Sequence, residues 1–261
     1  MDLTSEFTPW GQLPPSEQGE FGLVVRDDGR GEEITFPMDS ISANRAEILI
    51  DGELSPAGTF TGRYTERRLG IQQYGLRSAL ARDFTAAERE QLARGVANAV
   101  FDGASGDSVE IFRGKDLSAI PRVSVLIRGA RAGQSAGGTQ ILTLPIRNFA
   151  TPGLVSDLES RGTRRFPIDV GAVIGPIEEI AEFRLRLPEG WRARLPTNVT
   201  ATSVFGSYSA EYRQEGRNLH VVRRIAGRKG TEPPERIQAL IDWLRQVARD
   251  DVKYIVLESG N

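Results

Sequence analysis

Apolar and polar residues alternate with a period of two along many short segments of the chain, and this pattern predicts β-strands. The clearest alternation runs from Ile180 to Leu187, with Ala181, Phe183 and Leu185 on one side. We predict strands at 21–26, 33–36, 45–50, 59–68, 108–112, 122–128, 139–147, 180–187, 199–204, 207–214, 218–225 and 252–257. The first four strands form two hairpins, because Asp-Gly pairs favour tight turns and one lies at Asp51–Gly52.

Three segments carry the longer period of an α-helix. Residues 71–82 lose the strand alternation and are rich in good helix formers. Thr85 and Glu88 have the spacing of a capping box, which predicts a helix beginning there. A third helix begins at Thr231, and its apolar stripe comprises Ile237, Leu240, Ile241, Leu244 and Val247. A helix with such a stripe must cover a sheet.

These elements predict an α+β fold that is mainly antiparallel β, with two β-rich units. The first unit contains two helices, and the second is a sheet or sandwich covered by the C-terminal amphipathic helix. The periodicity lapses around Pro152 and Gly162, which indicates a boundary. We predict an irregular segment at 1–20, an α+β unit at 21–150, a linker at 151–163 and a β-rich unit at 164–261.

Composition narrows the possible functions. The 261 residues are 39% apolar and 26% charged, as in a globular protein, and the net charge of −2 offers no broad attraction to nucleic acid. No stretch approaches eighteen apolar residues, and Met1 is followed by Asp2 and Glu6. We therefore expect neither a membrane span nor a signal peptide.

Candidate chemistry is limited because the chain has no Cys and a single His, His220. Thiol nucleophiles, disulfides and sites that need two imidazoles are excluded, and we expect no cofactor and no metal. Carboxylate chemistry, or Ser207 or Ser209 served by His220, stays open beside a role without chemistry. Adjacent acids such as Glu178 and Glu179 face opposite sides of a strand, so such a pair cannot converge on one substrate atom. We expect these acids at solvated positions.

Two further patterns suggest binding. The glycine-rich stretch Gly129–Gly138 has no Gly-Lys-Ser/Thr ending and precedes a strand, so we interpret it as a mobile hairpin loop and not as a phosphate loop. Trp191, Tyr208 and Tyr212 could form an aromatic platform for a carbohydrate or a peptide if they are exposed together.

Short motifs in a fixed order relate the chain to a known family. The motifs are Asp2–Glu6 with Gly11–Pro14, Asp51–Gly52, Gly70, Leu76–Arg77, Arg165–Pro167, Leu187–Gly190 and Leu195–Pro196. In this order the chain resembles the C-terminal portion of bacterial transglutaminase-like proteins of the cysteine-protease superfamily, in particular those flanked by domains of unknown function.

The resemblance implies that a catalytic Cys and His precede the matching region, and that the third residue of the triad is an Asp in a segment similar to Asp-Pro-Thr. Asp2 stands at the position of that acid, with Leu3 in place of the proline. A triad acid only orients and stabilises an imidazolium, so Asp2 by itself is a vestigial catalytic residue. The chain then carries the tail of such an enzyme without its active site.

We therefore expect a non-catalytic accessory region with a structural or protein and peptide interaction role. Its partner would be a transglutaminase-like catalytic domain, or a peptide or cell-envelope partner, with no nucleic acid. The alternatives are a carbohydrate-binding β-sandwich centred on Trp191 and a hydrolase that uses Ser and His220 or a carboxylate site. Proteins of this family are often exported, which implies a periplasmic parent, whereas the chain itself indicates no compartment.

Overall fold

The structure is a computed structural model that describes residues 6–14, 17–136, 138–145, 152–173 and 175–259. Sixteen strands and five α-helices are present in this part of the chain. The strands are β1 Phe21–Val25, β2 Gly31–Thr35, β3 Arg45–Leu54, β4 Thr59–Arg68, β5 Ser105–Phe112, β6 Arg122–Arg131, β7 Gly133–Ala136, β8 Thr139–Thr143, β9 Ile168–Asp169, β10 Glu178–Arg186, β11 Arg192–Arg194, β12 Val199–Ser203, β13 Gly206–Glu215, β14 Asn218–Gly227, β15 Thr231–Glu232 and β16 Tyr254–Glu258. The helices are α1 Gln73–Leu80, α2 Ala86–Val100, α3 Pro152–Ser160, α4 Val170–Val173 and α5 Ile237–Asp251. The predicted α+β, mainly antiparallel fold is confirmed.

An eight-stranded sheet organises the molecule, in the order β12-β13-β14-β10-β3-β4-β6-β5. All neighbours in it are antiparallel except β10 and β3, which run parallel from Glu178 beside Arg45 to Arg186 beside Glu53. This pair connects strands that the sequence assigns to different units, so both predicted units contribute to one sheet. The predicted domain limits at 21–150 and 164–261 stay a prediction.

The alternation of residues gives this sheet an apolar inner face and a charged outer face. In β10, Ala181, Phe183 and Leu185 are buried, whereas Arg184 and Arg186 are exposed on the opposite side. The same division holds in the neighbouring strands, because paired residues of adjacent strands lie on the same face. The inner faces contribute to a single hydrophobic core.

Helix α2 covers one part of the inner face. The side chains of Thr85 and Glu88 form the predicted capping box, and the helix buries Ala93, Ala97 and Val100. It lies against β5 at Gly106, where an added Cβ would come 2.1 Å from the Ala93 carbonyl oxygen. Only a residue without a side chain allows this close approach.

Helix α5 covers the other part, and its predicted stripe is buried apart from half-buried Ile237. The indole Nε1 of Trp243 donates a hydrogen bond to the Ala201 carbonyl oxygen at 3.1 Å. The helix begins at Ile237, and the predicted start at Thr231 is wrong. Residues Thr231–Glu232 form β15 against β9. Pro234 disfavours the helical conformation at the residue before it, so Pro233 is extended and a 3-10 turn follows at Pro234–Arg236.

A second sheet has the order β11-β16-β8-β7. Pairing of β16 with β8 buries Ile255 and Leu257 in the common core. Most of the stretch predicted as a mobile hairpin loop is strand instead, because β6 continues to Arg131 and Gly133–Ala136 forms β7 against β8. The hydrogen-bonding groups of this backbone are thus satisfied by strands.

The second predicted hairpin has its turn at a different place. Strand β3 continues through Asp51 and Gly52 to Leu54, and the turn comprises Ser55–Gly58. Gly58 adopts a φ of +79° there, and the Ser55 hydroxyl accepts a hydrogen bond from the Thr59 amide at 3.1 Å. Pro56 at the second position of a turn is also favoured.

Candidate functional site

The residues of the predicted aromatic platform do not lie together on the surface. Tyr208 and Tyr212 are 1% and 6% exposed, because they alternate onto the inner face of β13. Trp191 is half-buried beside Gln214 and Arg217 in a cavity of about 480 Å³. Asp2, which the resemblance suggests is a vestigial triad acid, lies outside the described residues.

The two tyrosines instead belong to a buried polar cluster centred on Asp250. Their hydroxyls donate to the Asp250 carboxylate at 2.6 Å from Tyr208 and 2.7 Å from Tyr212. The Arg223 guanidinium lies 3.0 Å from the same carboxylate and donates to the Asp250 carbonyl at 2.6 Å. Lys253 approaches the carboxylate to 2.9 Å from a more exposed position.

Electrostatics in this cluster favour the ionised form of Asp250. Burial by itself would raise the pKa of its carboxyl. Hydrogen bonds from Tyr208, Lys253 and Tyr212 and the charge of Arg223 outweigh burial, so the pKa is lower than usual. The cluster connects α5 to β13 and β14, which makes it a structural feature of the fold.

His220 lies on the outer face of the sheet, and both of its ring nitrogens have partners. Arg213 Nε donates to His220 Nδ1 at 2.9 Å. His220 Nε2 contacts the Glu182 carboxylate, which also accepts a hydrogen bond from Arg184 at 2.7 Å. Because the arginine can only donate, Nδ1 is the acceptor and Nε2 carries the proton donated to Glu182.

Glu182 is held as a carboxylate in this arrangement. Burial would raise its pKa, but hydrogen bonds from Arg184 and His220 outweigh burial and lower the pKa. An open cavity of about 630 Å³ lies beside these side chains and also has Asp51 and Arg186 in its lining. The surface is therefore highly charged and carries both signs.

The serines that the sequence offered as nucleophiles are distant from His220. Ser209 pairs with Arg224, which is four residues along β14 from His220. At roughly 3.3 Å per residue, the two side chains are separated by about 13 Å along the strand. Ser207 pairs with Ala226 and is further away.

A second site, which the sequence did not predict, lies between α2 and strand β4. Its polar lining includes Tyr64 and Glu66 on the inner face of β4. Arg68 on the same face and Glu179 on β10 lie close to Glu66 but do not line the cleft. The Tyr64 hydroxyl donates to Glu66 Oε2 at 2.7 Å, and Arg68 Nε donates to Glu66 Oε1. No described residue donates a hydrogen bond to Glu179.

The environment of this cluster changes the acidity of two groups. Burial raises the pKa of Glu179 to about 7, with a further increase from the charge of Glu66 and a decrease from Arg68. Burial also raises the pKa of Tyr64, and the nearby Glu66 charge adds to this effect. Carboxyls with pKa values near 7 are typical of functional sites.

The sequence contains a signal for Glu179 that the interpretation of Glu178 and Glu179 as solvated residues overlooked. The alternation of β10 extends back by two residues from Ala181, and this places Glu179 on the buried side. Glu178 faces the other side, where Arg224 lies 3.5 Å away. In the part of the chain that the structure describes, no three His, Asp or Glu residues are grouped as metal ligands.

A family model matches the C-terminal part of the chain. Residues 147–257, somewhat less than half of the chain, match DUF3858, a domain of unknown function with a solved structure. The resemblance inferred from the sequence included domains of unknown function, and the match confirms that one such domain is present. No curated protein matches the chain.

Two solved structures are similar to the chain at low identity. A Parabacteroides distasonis protein described as a putative protease has 17% identity and a TM-score of 0.37, over 48% of this chain and 24% of that protein. The folded domain of Mycobacterium tuberculosis LppM has 10% identity and a TM-score of 0.29, over 75% and 94% of the two chains. The chain spans about a quarter of the length of the Parabacteroides protein.

None of the helices in the described residues combines the length and the apolar character that a bilayer span requires.

Proposed function

We propose that this chain is a non-catalytic accessory region of a transglutaminase-like protein, with a role in protein or peptide interaction. The observation that carries the proposal is the environment of His220. Its Nδ1 lone pair accepts from Arg213 and its Nε2 proton is directed at Glu182. A general base needs a free lone pair within reach of a nucleophile, and among the described residues His220 has neither.

The sequence supports the same conclusion. It contains no Cys, so the thiolate that the resembled family uses as its nucleophile is absent from this chain. The match to DUF3858 over residues 147–257 is compatible with an accessory region, since that family carries no assigned activity.

An exposed apolar surface on the β1–β2 hairpin supports the interaction role. Phe21, Leu23 and Val25 lie on one face of β1 and are 67%, 58% and 70% exposed. Apolar side chains grouped in this way are typical of protein interaction sites. A two-stranded hairpin is also marginally stable by itself, so a folded protein partner would stabilise it.

Labelling with a serine-directed fluorophosphonate tests whether the chain contains an activated hydroxyl nucleophile. We expect no adduct by intact-protein mass spectrometry under conditions that label a serine protease completely. A stoichiometric adduct that disappears in His220→Ala would contradict the proposal. The Ser209→Ala and Ser207→Ala variants would then identify the labelled residue.

A carboxylate-dependent hydrolase is the second candidate, favoured by one observation. Glu179 has a pKa of about 7 and lies near Glu66, so it could donate or accept a proton at neutral pH. Hydrolysis that Glu179→Gln abolishes and Glu178→Gln leaves intact would establish this candidate in place of the accessory role.

A further inference from the structure

The β1–β2 hairpin is a two-stranded sheet of its own with an open edge on each strand. In the part of the chain that the structure describes, neither strand has a second strand neighbour. The base of the hairpin is held where Lys229 donates to the Gln18 carbonyl at 2.6 Å and pairs with Glu20 at 2.7 Å. Beyond this base, only Gly22 in the two strands is buried. The hairpin is therefore open to contact with another molecule.

The open edge of β1 carries backbone groups without strand partners. The Phe36 amide donates to the Glu20 carbonyl and the Arg26 amide donates to the Arg30 carbonyl, each at 2.9 Å. Hydrogen bonding alternates along an antiparallel pair, so the even-numbered residues of β1 bond β2. The N–H and C=O groups of the odd-numbered residues therefore point away from β2, and no described residue bonds them. These residues are Phe21, Leu23 and Val25.

Charges distinguish the two open edges. Strand β2 carries the exposed Glu32 and Glu33, and pairing it with a copy of itself would bring like charges together. Strand β1 has no charged residue. Its flanking residues are exposed and opposite in charge, with Glu20 before the strand and Arg26 after it. An antiparallel copy of β1 centred on Leu23 would set Glu20 of each copy opposite Arg26 of the other.

We propose that two copies of this chain associate through β1, whose open edges pair antiparallel about a two-fold axis at Leu23. Phe21 then lies opposite Val25 of the second copy, and the outward backbone groups of both copies bond each other. The apolar side chains of the two strands become cross-strand neighbours. The contact involves five strand residues from each copy, so the dimer is weak and reversible. This proposal rests on the interaction role proposed above and names the partner.

Sedimentation velocity of the full chain, from micromolar to millimolar concentration, tests the proposal. We expect a reversible equilibrium between monomer and dimer. Hydrogen exchange of the Phe21, Leu23 and Val25 amides should slow as the dimer forms, because these amides gain acceptors. The Gly22 and Val24 amides, which already face β2, should change less.

A substitution at the centre of the contact tests its location. Leu23→Lys sets two like charges opposite each other and should abolish the dimer over this range of concentration. Phe166→Lys is the matched control, because Phe166 is apolar, lies outside β1 and is 76% exposed, compared with 58% for Leu23. This variant should dimerise as the wild type does. Circular dichroism confirms that each variant is folded.

Two charge variants test the register of the pairing. Glu20→Arg and Arg26→Glu each set like charges opposite each other, so each should weaken its own dimer about tenfold or more. When the two variants are mixed, opposite charges face each other at both positions, and a mixed dimer should form with close to the wild-type affinity. Each variant also loses an ion pair of its own chain, with Lys229 or with Glu32, but this loss is the same in the mixture and cannot produce the recovery.

Three results would overturn the proposal. These are a chain that stays monomeric up to millimolar concentration, a dimer that Leu23→Lys leaves intact, and charge variants that associate no better when mixed than separately. In the first case, β1 amide shifts on addition of an alternating Thr-Val hexapeptide would assign the edge to a strand of a different protein. A monomeric chain without turnover would leave the non-catalytic role intact, so the two failures are distinguishable.

Discussion

At the scale of single residues, the buried charges of this protein have distinct consequences for stability. Asp250 is ionised in a closed cluster of donors, and its counter-charge, Arg223, is 1% exposed. Glu179 is held in the neutral form up to about pH 7. The first group should stabilise the fold as a charge, and the second should weaken it when ionised.

Replacing Asp250 with Asn should lower the free energy of unfolding by about 3 kcal/mol, because buried Arg223 would lose its closer counter-charge and keep the Asp251 carboxylate, 3.6 Å away. Urea denaturation measures this change. Asp242→Asn is the control, since Asp242 lies on the same helix and makes an exposed ion pair with Arg245. Its effect should be below about 1 kcal/mol. Equal effects of the two substitutions would contradict the structural role of the cluster.

The lowered pKa of Asp250 also predicts a dependence of stability on pH. A carboxyl whose pKa is lower in the folded state stabilises the fold above its unfolded pKa, and this contribution is lost as the pH falls through the folded pKa. The loss therefore lies below about pH 4. Urea midpoints of the wild type and Asp250→Asn should converge there.

The raised pKa of Glu179 predicts that stability depends on pH in the opposite direction, between its unfolded pKa, near 4.5, and about pH 7. In this window the unfolded state has released the proton and the folded state has kept it, so the free energy of unfolding falls as the pH rises. The total decrease is at most about 3 kcal/mol. Glu179→Gln should remove this slope, and Glu178→Gln should retain it. A slope that survives in Glu179→Gln would contradict the prediction.

At the scale of elements, local sequence signals specify the helices and most strands. The Thr85 and Glu88 side chains form the capping box that their spacing predicts, and the apolar stripe of α5 is buried with the exception of half-buried Ile237. Turn positions depend on competing local chemistry, as when Pro56 and Gly58 outweigh Asp51–Gly52.

The capping box should contribute measurably to stability. Thr85→Ala should lower the free energy of unfolding by about 1 kcal/mol, because the Glu88 amide loses its hydroxyl acceptor. Thr85→Ser keeps a hydroxyl and should restore most of this energy. Thermal or chemical denaturation distinguishes the two, and an alanine variant as stable as the serine variant would show that the cap is not needed.

The candidate site was harder to predict from the sequence than the helices and strands were. The position of Glu179 on the buried side of β10 follows from alternation, but its proximity to Glu66 depends on the order β10-β3-β4. That order arises from a parallel pair between strands more than a hundred residues apart, for which the sequence has no local signal. Of the two partners of His220, Arg213 lies only seven residues away across the β13–β14 hairpin. Glu182 depends on the antiparallel pairing of β10 with β14.

At the scale of the whole molecule, the parallel pair β3–β10 connects the two segments that the sequence separates. The inner residues of both segments form one core, in which Ile50 and Phe183 are each almost completely buried. We expect a single cooperative unfolding transition, with similar hydrogen-exchange protection in β3 and β10. Two separate transitions would show that the predicted units are independent domains.

The measurement that tests the accessory role most directly is turnover by the purified full chain on peptide, ester and amine-acceptor substrates. We expect no turnover above the uncatalysed rate, and identical progress curves for the wild type and His220→Ala. Turnover that copurifies with the chain and disappears in His220→Ala or Glu179→Gln would contradict it.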